Sequence, residues 1–154
     1  VEKEYRAGGS REQRAVAGLS MGGGGSVNYA LRYPDTFCAC YAMSAWLGMD
    51  QQLGGNPKDP KSKFSLLTKA VAELGAVKLL EAMDKEELKK LHTVAWFIDC
   101  GDDDFLLEQS EELHMKMRHL RIPSQFRVRD GNHNWEYWHN ALRLCLPFVS
   151  RNFQ

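Results

Sequence analysis

The sequence predicts an α/β fold, in which a parallel β-sheet carries helices on both faces. Two observations lead to this prediction. Short apolar runs typical of buried strands alternate with longer helical stretches, and parallel strands need such crossover connections. The length of 154 residues, with 44% hydrophobic and 26% charged residues, suits one globular domain with an ordinary core. We therefore expect residues 1–154 to form a single α/β domain.

The strand and helix signals alternate in order along the chain. The predicted strands are Arg14–Leu19, Cys38–Ser44, Val94–Cys100 and Gln125–Arg129. The predicted helical segments are Ser26–Tyr33, Lys63–Leu91, Leu107–Leu120 and about Trp135–Phe153.

One stretch breaks this alternation. Residues Gly48 to Lys63 are rich in Gly, Pro, Asp and Lys, and extra helical length follows them. They predict an insertion at about 47–92 on the rim of the sheet, where lids and specificity loops are found. Within it, Asp84 is expected to cap a helix whose first turn is acidic.

The charge pattern narrows the class of partner. The formal net charge is zero and no long basic block occurs, which argues against nucleic acid or an anionic membrane surface. No apolar stretch reaches the roughly 18 residues of a membrane span. Uncharged or weakly charged substrates fit this composition better.

The cysteines are predicted to be structural. Cys38, Cys40, Cys100 and Cys145 lie mostly in apolar runs, as buried small hydrophobic residues do. The first two are only two residues apart on one strand, too close to bridge easily. Cysteine and histidine spacing matches no metal site, so neither a metal nor a cofactor is expected.

The segment Gly18-Leu19-Ser20-Met21-Gly22 has the form of a nucleophile elbow. A strand that turns into a helix within about one residue strains the central Ser20, and we expect only tiny side chains to fit two positions either side of it, a requirement that Gly18 and Gly22 meet. The turn would present the Ser20 hydroxyl above the sheet and the Met21 amide towards an oxyanion. The alternative is that residues 22–25 form a flexible turn or a phosphate loop, although no Gly-Lys-Ser/Thr follows.

A seryl nucleophile needs a histidine base and an orienting carboxylate. His133 follows a Gly-containing turn after the fourth strand, at the edge where α/β sheets place their sites. The other four histidines lie in helical or helix-end contexts and are interpreted as solvated or capping: His92, His114, His119 and His139. Asp104 is the favoured acid, because its place in the loop after the third strand lets it meet a histidine on the loop of the adjacent strand. The Phe105 side chain is expected to shield it. Three aspartates compete with it: Asp99, Asp102 and Asp103.

Four motifs in this order resemble the esterase-D-like branch of the α/β-hydrolases, which includes feruloyl esterases, acetylxylan esterases, S-formylglutathione hydrolases and mycolyltransferase-like acyltransferases. The motifs are GLSMGG (18–23), YPDTF (33–37), DCGDDDFL (99–106) and GNHNWEYW (131–138). The resemblance implies Ser20 as nucleophile, Asp104 as acid and His133 as base. It also favours a periplasmic or secreted location.

One departure from the branch concerns the start of the chain. Its members carry roughly a hundred further residues before the elbow, which form the first strands and supply the second oxyanion amide. The resemblance therefore implies the C-terminal half of a hydrolase. We expect the first strand to present an unpaired edge, covered by a missing N-terminal segment or by a second copy.

The predicted activity is hydrolysis of carboxylic esters through an acyl-enzyme, with feruloyl or acetyl esters of plant polysaccharide as the favoured substrates. Trp46, just after the second strand, is the preferred substrate-contacting aromatic residue, and Trp135 is a second candidate. The alternatives are acyl transfer, an S-formylglutathione-hydrolase-like thioesterase, or a non-catalytic carbohydrate-binding fragment.

Overall fold

A computed structural model describes residues 2–5, 8–48 and 59–154. Within them, one parallel sheet is built from β1 (Ala15–Leu19), β2 (Ala39–Met43), β3 (Ala95–Gly101) and β4 (Ser124–Arg129). The strands lie side by side in sequence order. All four predicted strands are confirmed, with small shifts at their ends.

Helices lie in all three connections between these strands, and further helices precede β1 and follow β4. They are α1 (Glu2–Tyr5), α2 (Met21–Arg32), α3 (Lys63–Glu73), α4 (Ala76–Ala82), α5 (Lys85–Leu91), α6 (Leu107–His119) and α7 (Trp135–Asn152), with a 3₁₀ turn at Arg11–Gln13. No helix among the described residues is long and apolar enough to cross a membrane.

Two apolar clusters lie on opposite faces of the sheet, as predicted. Along β2, Cys40 and Ala42 point into a cluster with α2, α4, α5 and α6, whereas Tyr41 points into a cluster with α7. Strand side chains alternate between faces, so a strand buried on both faces must be apolar throughout. All five β2 residues are buried.

The cysteines are buried, as predicted, and none is disulfide-bonded. Burial raises the pKa of Cys100 to about 12 and that of Cys145 to about 11. Because the reactive form of cysteine is the thiolate, these two thiols are inert at neutral pH.

Helix α2 begins at Met21, five residues earlier than predicted, so the glycine run is neither a flexible turn nor a phosphate loop. The glycines let the helix approach the sheet edge closely. A Cβ on Gly23 would lie 2.8 Å from the Met43 carbonyl oxygen, and one on Gly24 would lie 1.9 Å from the Trp46 carbonyl oxygen. Their poor helix propensity concealed this role.

The segment predicted as helical from Lys63 to Leu91 is three separate helices, α3, α4 and α5. The cap at Asp84 is confirmed: its side chain accepts from Glu87 N, and the Glu87 side chain accepts from Asp84 N, which makes a capping box. Helices α4 and α5 bury Leu80 and Leu91 in the core. Of the expected insertion, residues 49–58 lie outside the described residues.

Strand β1 lies at one edge of the sheet. Among the described residues it pairs with β2 alone, and Ala17 on it is exposed. The expected free edge is therefore present in the described part of the chain.

Replacing Gly24 by alanine tests the close approach of α2. Gly24→Ala is expected to lower the free energy of unfolding by about 1–3 kcal/mol, because the added methyl collides with a backbone carbonyl. Gly25→Ala is the matched control, since its Cβ would meet nothing within 4 Å, and it should raise stability by up to about 1 kcal/mol. Urea unfolding midpoints measure both, and equal shifts would contradict this packing.

Candidate active site

Ser20 sits between β1 and α2 in a backbone conformation that is rare for a non-glycine residue, with φ 55° and ψ −121°. Its neighbours fix this turn. Ser20 N donates to the Met43 carbonyl at 2.9 Å, and Trp46 N donates to the Ser20 carbonyl at 2.9 Å. The strained residue is therefore held by hydrogen bonds to the last residue of β2 and to the loop that follows it.

Only one of the two flanking glycines meets the predicted steric requirement. A Cβ on Gly18 would lie 2.3 Å from the Gly22 carbonyl oxygen, so Gly18 must lack a side chain. A Cβ on Gly22 would meet nothing within 4 Å apart from its own helix. The expectation that Gly22 is needed for space is wrong, because the side-chain position on α2 points away from β1.

His133 lies in the loop after β4, and its ring connects two side chains. Its Nε2 is 2.9 Å from Ser20 Oγ, and its Nδ1 is 2.9 Å and 3.0 Å from the two Asp104 carboxylate oxygens. When Nδ1–H donates to the carboxylate, Nε2 is left as an acceptor for the hydroxyl proton. The structure thus brings together Ser20, His133 and Asp104, which are far apart in sequence.

Asp104 is well held at the end of β3. Its carboxylate is fully buried, and Oδ1 also accepts from Leu106 N at 2.9 Å, just before α6. These hydrogen bonds compensate for the burial of the carboxylate. Its geometry suits a group that orients the imidazole.

The competing aspartates lie elsewhere. Asp99 is buried but binds Arg129 and two tyrosines. Asp102 and Asp103 are exposed, and Asp102 Oδ1 accepts from Gly131 N at 2.9 Å. The three competing side chains therefore have other surroundings, and Asp104 is the aspartate that hydrogen-bonds to His133.

Two aromatic rings flank the imidazole of His133. The Phe105 ring centroid lies 4.6 Å away, and the Trp138 ring meets it edge-on at 4.9 Å. Phe105 was expected to shield Asp104, but its ring lies against His133 and is 59% exposed. Trp138 is buried and donates to Ser44 Oγ at 3.1 Å, which fixes its ring.

A small cavity of about 160 Å³ opens beside the Ser20 hydroxyl. It is lined by Ser20, Trp46, Phe64, Phe105 and Leu106. Trp46 was predicted there from its place after β2. The sequence did not predict that Phe64 and Leu106 line this cavity. The amphipathic pattern of α3 is the signal that could have indicated a role for Phe64.

Trp135, the second aromatic candidate, does not line this cavity. Its side chain is 64% exposed and packs edge-on against Trp138 at 5.4 Å. The structure gives it no contact with Ser20.

The Met21 amide belongs to the first turn of α2. Amides in the first turn of a helix have no acceptor within that helix, and the helix dipole makes this end partly positive. Such an amide can donate to an acceptor that lies outside the helix.

The other histidines lie away from these groups. Three are exposed on helices or their ends: His92, His119 and His139. His114 differs from the prediction, because it is half-buried, stacks on Phe126 and has Nδ1 2.9 Å from Ser124 Oγ. Burial lowers its pKa. In the described part of the chain, no group of three or more His, Cys, Asp or Glu side chains could hold a metal ion.

Several known proteins are similar to this chain in sequence and in fold. A solved ferulic acid esterase is 52% identical, with a TM-score of 0.92, and the match covers 99% of this chain and 57% of that one. An acetyl esterase of Caldicellulosiruptor saccharolyticus is 25% identical, over 92% of this chain and 56% of its own length. The fluorophosphonate-binding serine hydrolase FphF of Staphylococcus aureus is 25% identical, with a TM-score of 0.63, over 92% of this chain and 56% of that one.

The chain thus spans a little over half the length of these relatives. The family model described as "Putative esterase" matches residues 1–148. The chain belongs to this esterase family, and its α/β fold matches that of the solved ferulic acid esterase.

Proposed function

We propose that this chain carries the catalytic triad of a serine carboxylic ester hydrolase that works through an acyl-enzyme. The observation that carries the proposal is the continuous hydrogen-bond path from Ser20 Oγ through His133 to Asp104. Membership of the esterase family supports the same reaction class.

In the acylation step, His133 Nε2 accepts the Ser20 hydroxyl proton as Oγ attacks the ester carbonyl carbon. The carbonyl oxygen becomes an oxyanion, and the Met21 N–H donates to it. Asp104 keeps the imidazole in the required tautomer and stabilises it when it becomes charged. The protonated imidazole then gives its proton to the leaving alcohol, and the acyl group remains on Ser20.

In the deacylation step, water takes the place of the alcohol. His133 Nε2 removes a proton from the water, which attacks the acyl carbon and forms a second oxyanion at the Met21 amide. Collapse of this intermediate returns the proton to Ser20 and releases the carboxylic acid. Phe105 and Trp138 limit water around the imidazole, which strengthens the hydrogen bonds that it makes.

The favoured substrates are feruloyl or acetyl esters of plant polysaccharide. The cavity beside Ser20 has apolar walls from Trp46, Phe64 and Phe105, which suit a planar aromatic acyl group. The names of the ferulic acid esterase and the acetyl esterase point to the same two acyl groups. An acetyl group is smaller and would contact only some of these aromatic side chains.

A fluorophosphonate probe tests the nucleophile and the base. We expect one probe per chain, attached to Ser20, and no labelling of Ser20→Ala. His133→Ala should slow labelling by several orders of magnitude, because the hydroxyl loses its base. Intact-mass and peptide mass spectrometry measure the adduct. Failure of the folded chain to label, or equal labelling of Ser20→Ala, would refute the assignment.

Matched variants separate the roles of neighbouring residues in the same assay. Ser150→Ala, at an exposed position on α7, should label like the unchanged chain. Asp104→Asn should slow labelling by about 10³-fold or more because the imidazole loses its tautomer control. Asp103→Asn removes an exposed carboxylate one residue away and should have little effect.

The substrate proposal is tested at Phe64. Phe64→Ala removes one cavity wall, so kcat/KM for methyl ferulate should fall about tenfold, the value of one aromatic contact. Its kcat/KM for p-nitrophenyl acetate should change far less. Phe153→Ala, outside the cavity lining, is the control. Equal losses for both esters would contradict an aromatic acyl site here.

A further inference from the structure

A buried polar cluster lies behind the His133 loop, and the proposed reaction steps do not use it. Its centre is the Asp99 carboxylate, which is 0% exposed in the middle of the sheet. Tyr41 OH donates to Oδ2 at 2.6 Å, and Tyr137 OH donates to Oδ1 at 2.5 Å. Arg129 Nη2 donates to both oxygens, at 2.8 Å and 3.0 Å. We call these four residues the Asp99 cluster.

The hydrogen bonds of this cluster are strong. The carboxylate is charge-paired with Arg129 and receives two neutral donors, so its burial is compensated. Burial, followed by the hydrogen bond to Asp99, raises the pKa of both Tyr41 and Tyr137. The tyrosines therefore remain protonated donors at neutral pH.

The cluster joins the two ends of the loop that carries His133. Arg129 is the last residue of β4, and Tyr137 lies in the first turn of α7. His133 stands midway between them. By binding both Arg129 and Tyr137, one carboxylate on β3 sets the distance that loop 130–134 must span.

Tyr137 also touches the loop itself. Gly131 has φ 141°, and a Cβ there would lie 2.5 Å from Tyr137 Cδ2, so the ring rests directly on the loop backbone. The Tyr137 amide donates to Asn134 Oδ1 at 3.0 Å, which caps α7. A displaced Tyr137 would therefore displace the loop.

Tyr41 offers a contrast within the same cluster. It binds the same carboxylate with a similar hydrogen bond, but it belongs to β2 and stacks on Phe97 at 4.5 Å between ring centroids. It is not part of the chain segment that contains His133.

We propose that Asp99 is a positioning residue, acting through Arg129 and Tyr137 to hold His133 Nε2 at hydrogen-bond distance from Ser20 Oγ. This inference rests on the function proposed above. Small displacements of a catalytic base are costly: a shift of about 1 Å can reduce a rate by about 100-fold.

Two single-atom deletions test the proposal on the full chain. Tyr137→Phe and Tyr41→Phe each remove one hydroxyl that donates to Asp99, and both should lower the unfolding midpoint. Asp99→Asn is less useful, because it leaves Arg129 without its counter-charge and endangers folding. We measure unfolding, the rate of fluorophosphonate labelling at Ser20, and the low-field NMR signal of the His133 Nδ1 proton, assigned by its loss in His133→Ala.

Tyr137→Phe is expected to slow labelling by about 10- to 100-fold and to shift or broaden the low-field proton. Tyr41→Phe should leave the low-field signal unshifted and label within about twofold of the unchanged chain. The reason is that Arg129 and Tyr137, at the two ends of the His133 loop, keep their hydrogen bonds to Asp99. Equal behaviour of the two variants in rate and in proton signal would overturn the positioning role.

The same experiments distinguish a wrong positioning role from a wrong esterase proposal. If the unchanged chain does not label at Ser20, the esterase proposal fails, and the low-field proton alone decides the positioning role. A proton signal moved by Tyr137→Phe and unmoved by Tyr41→Phe would still support it.

Discussion

The structure depends on one constraint, the close approach of α2 to the ends of β1 and β2. Ser20 can adopt its strained turn only if the helix starts at the next residue, and the helix can start there only if Gly18 and Gly24 lack side chains. That approach places the Ser20 hydroxyl at the sheet edge and the first amides of α2 beside it. The energy of the strain is offset by hydrogen bonds from the loop after β2, where Trp46 N binds the Ser20 carbonyl.

The second half of the site is organised by two aspartates at the end of β3 with different surroundings. Asp104 lies in a turn, fully buried, and binds the His133 ring directly. Asp99 lies five residues earlier, within the strand, and binds the side chains at the two ends of the His133 loop. Strand β3 and the turn after it thus supply two carboxylates, one bound to the imidazole ring and one bound to the side chains at the ends of the loop that carries it. Their different partners follow from position, because Asp99 lies within the strand, whereas Asp104 lies beyond it and faces the His133 ring.

The sequence was sufficient to predict the sheet, because its strands are short apolar runs separated by helices. It also pointed to Ser20 and His133, since each follows a strand and parallel strands end at one edge. It favoured Asp104 over three competing aspartates, but only the structure shows which carboxylate hydrogen-bonds to His133. It could not place the start of α2, because four glycines have poor helix propensity and their role appears only when the sheet is present. The partners of Asp99 were equally hidden, since Tyr41, Arg129 and Tyr137 meet only after the strands pair. Phe64 reaches the cavity from α3, whose position depends on packing between distant segments.

The most direct test of the account is a crystal structure of the chain after reaction with a fluorophosphonate. We predict a phosphorus atom bonded to Ser20 Oγ, with one phosphoryl oxygen within hydrogen-bond distance of the Met21 amide and His133 still bound to Asp104. The tetrahedral phosphorus stands in for the intermediate of ester hydrolysis. An adduct on another residue, or one on Ser20 whose oxygens all point away from the Met21 amide, would contradict it.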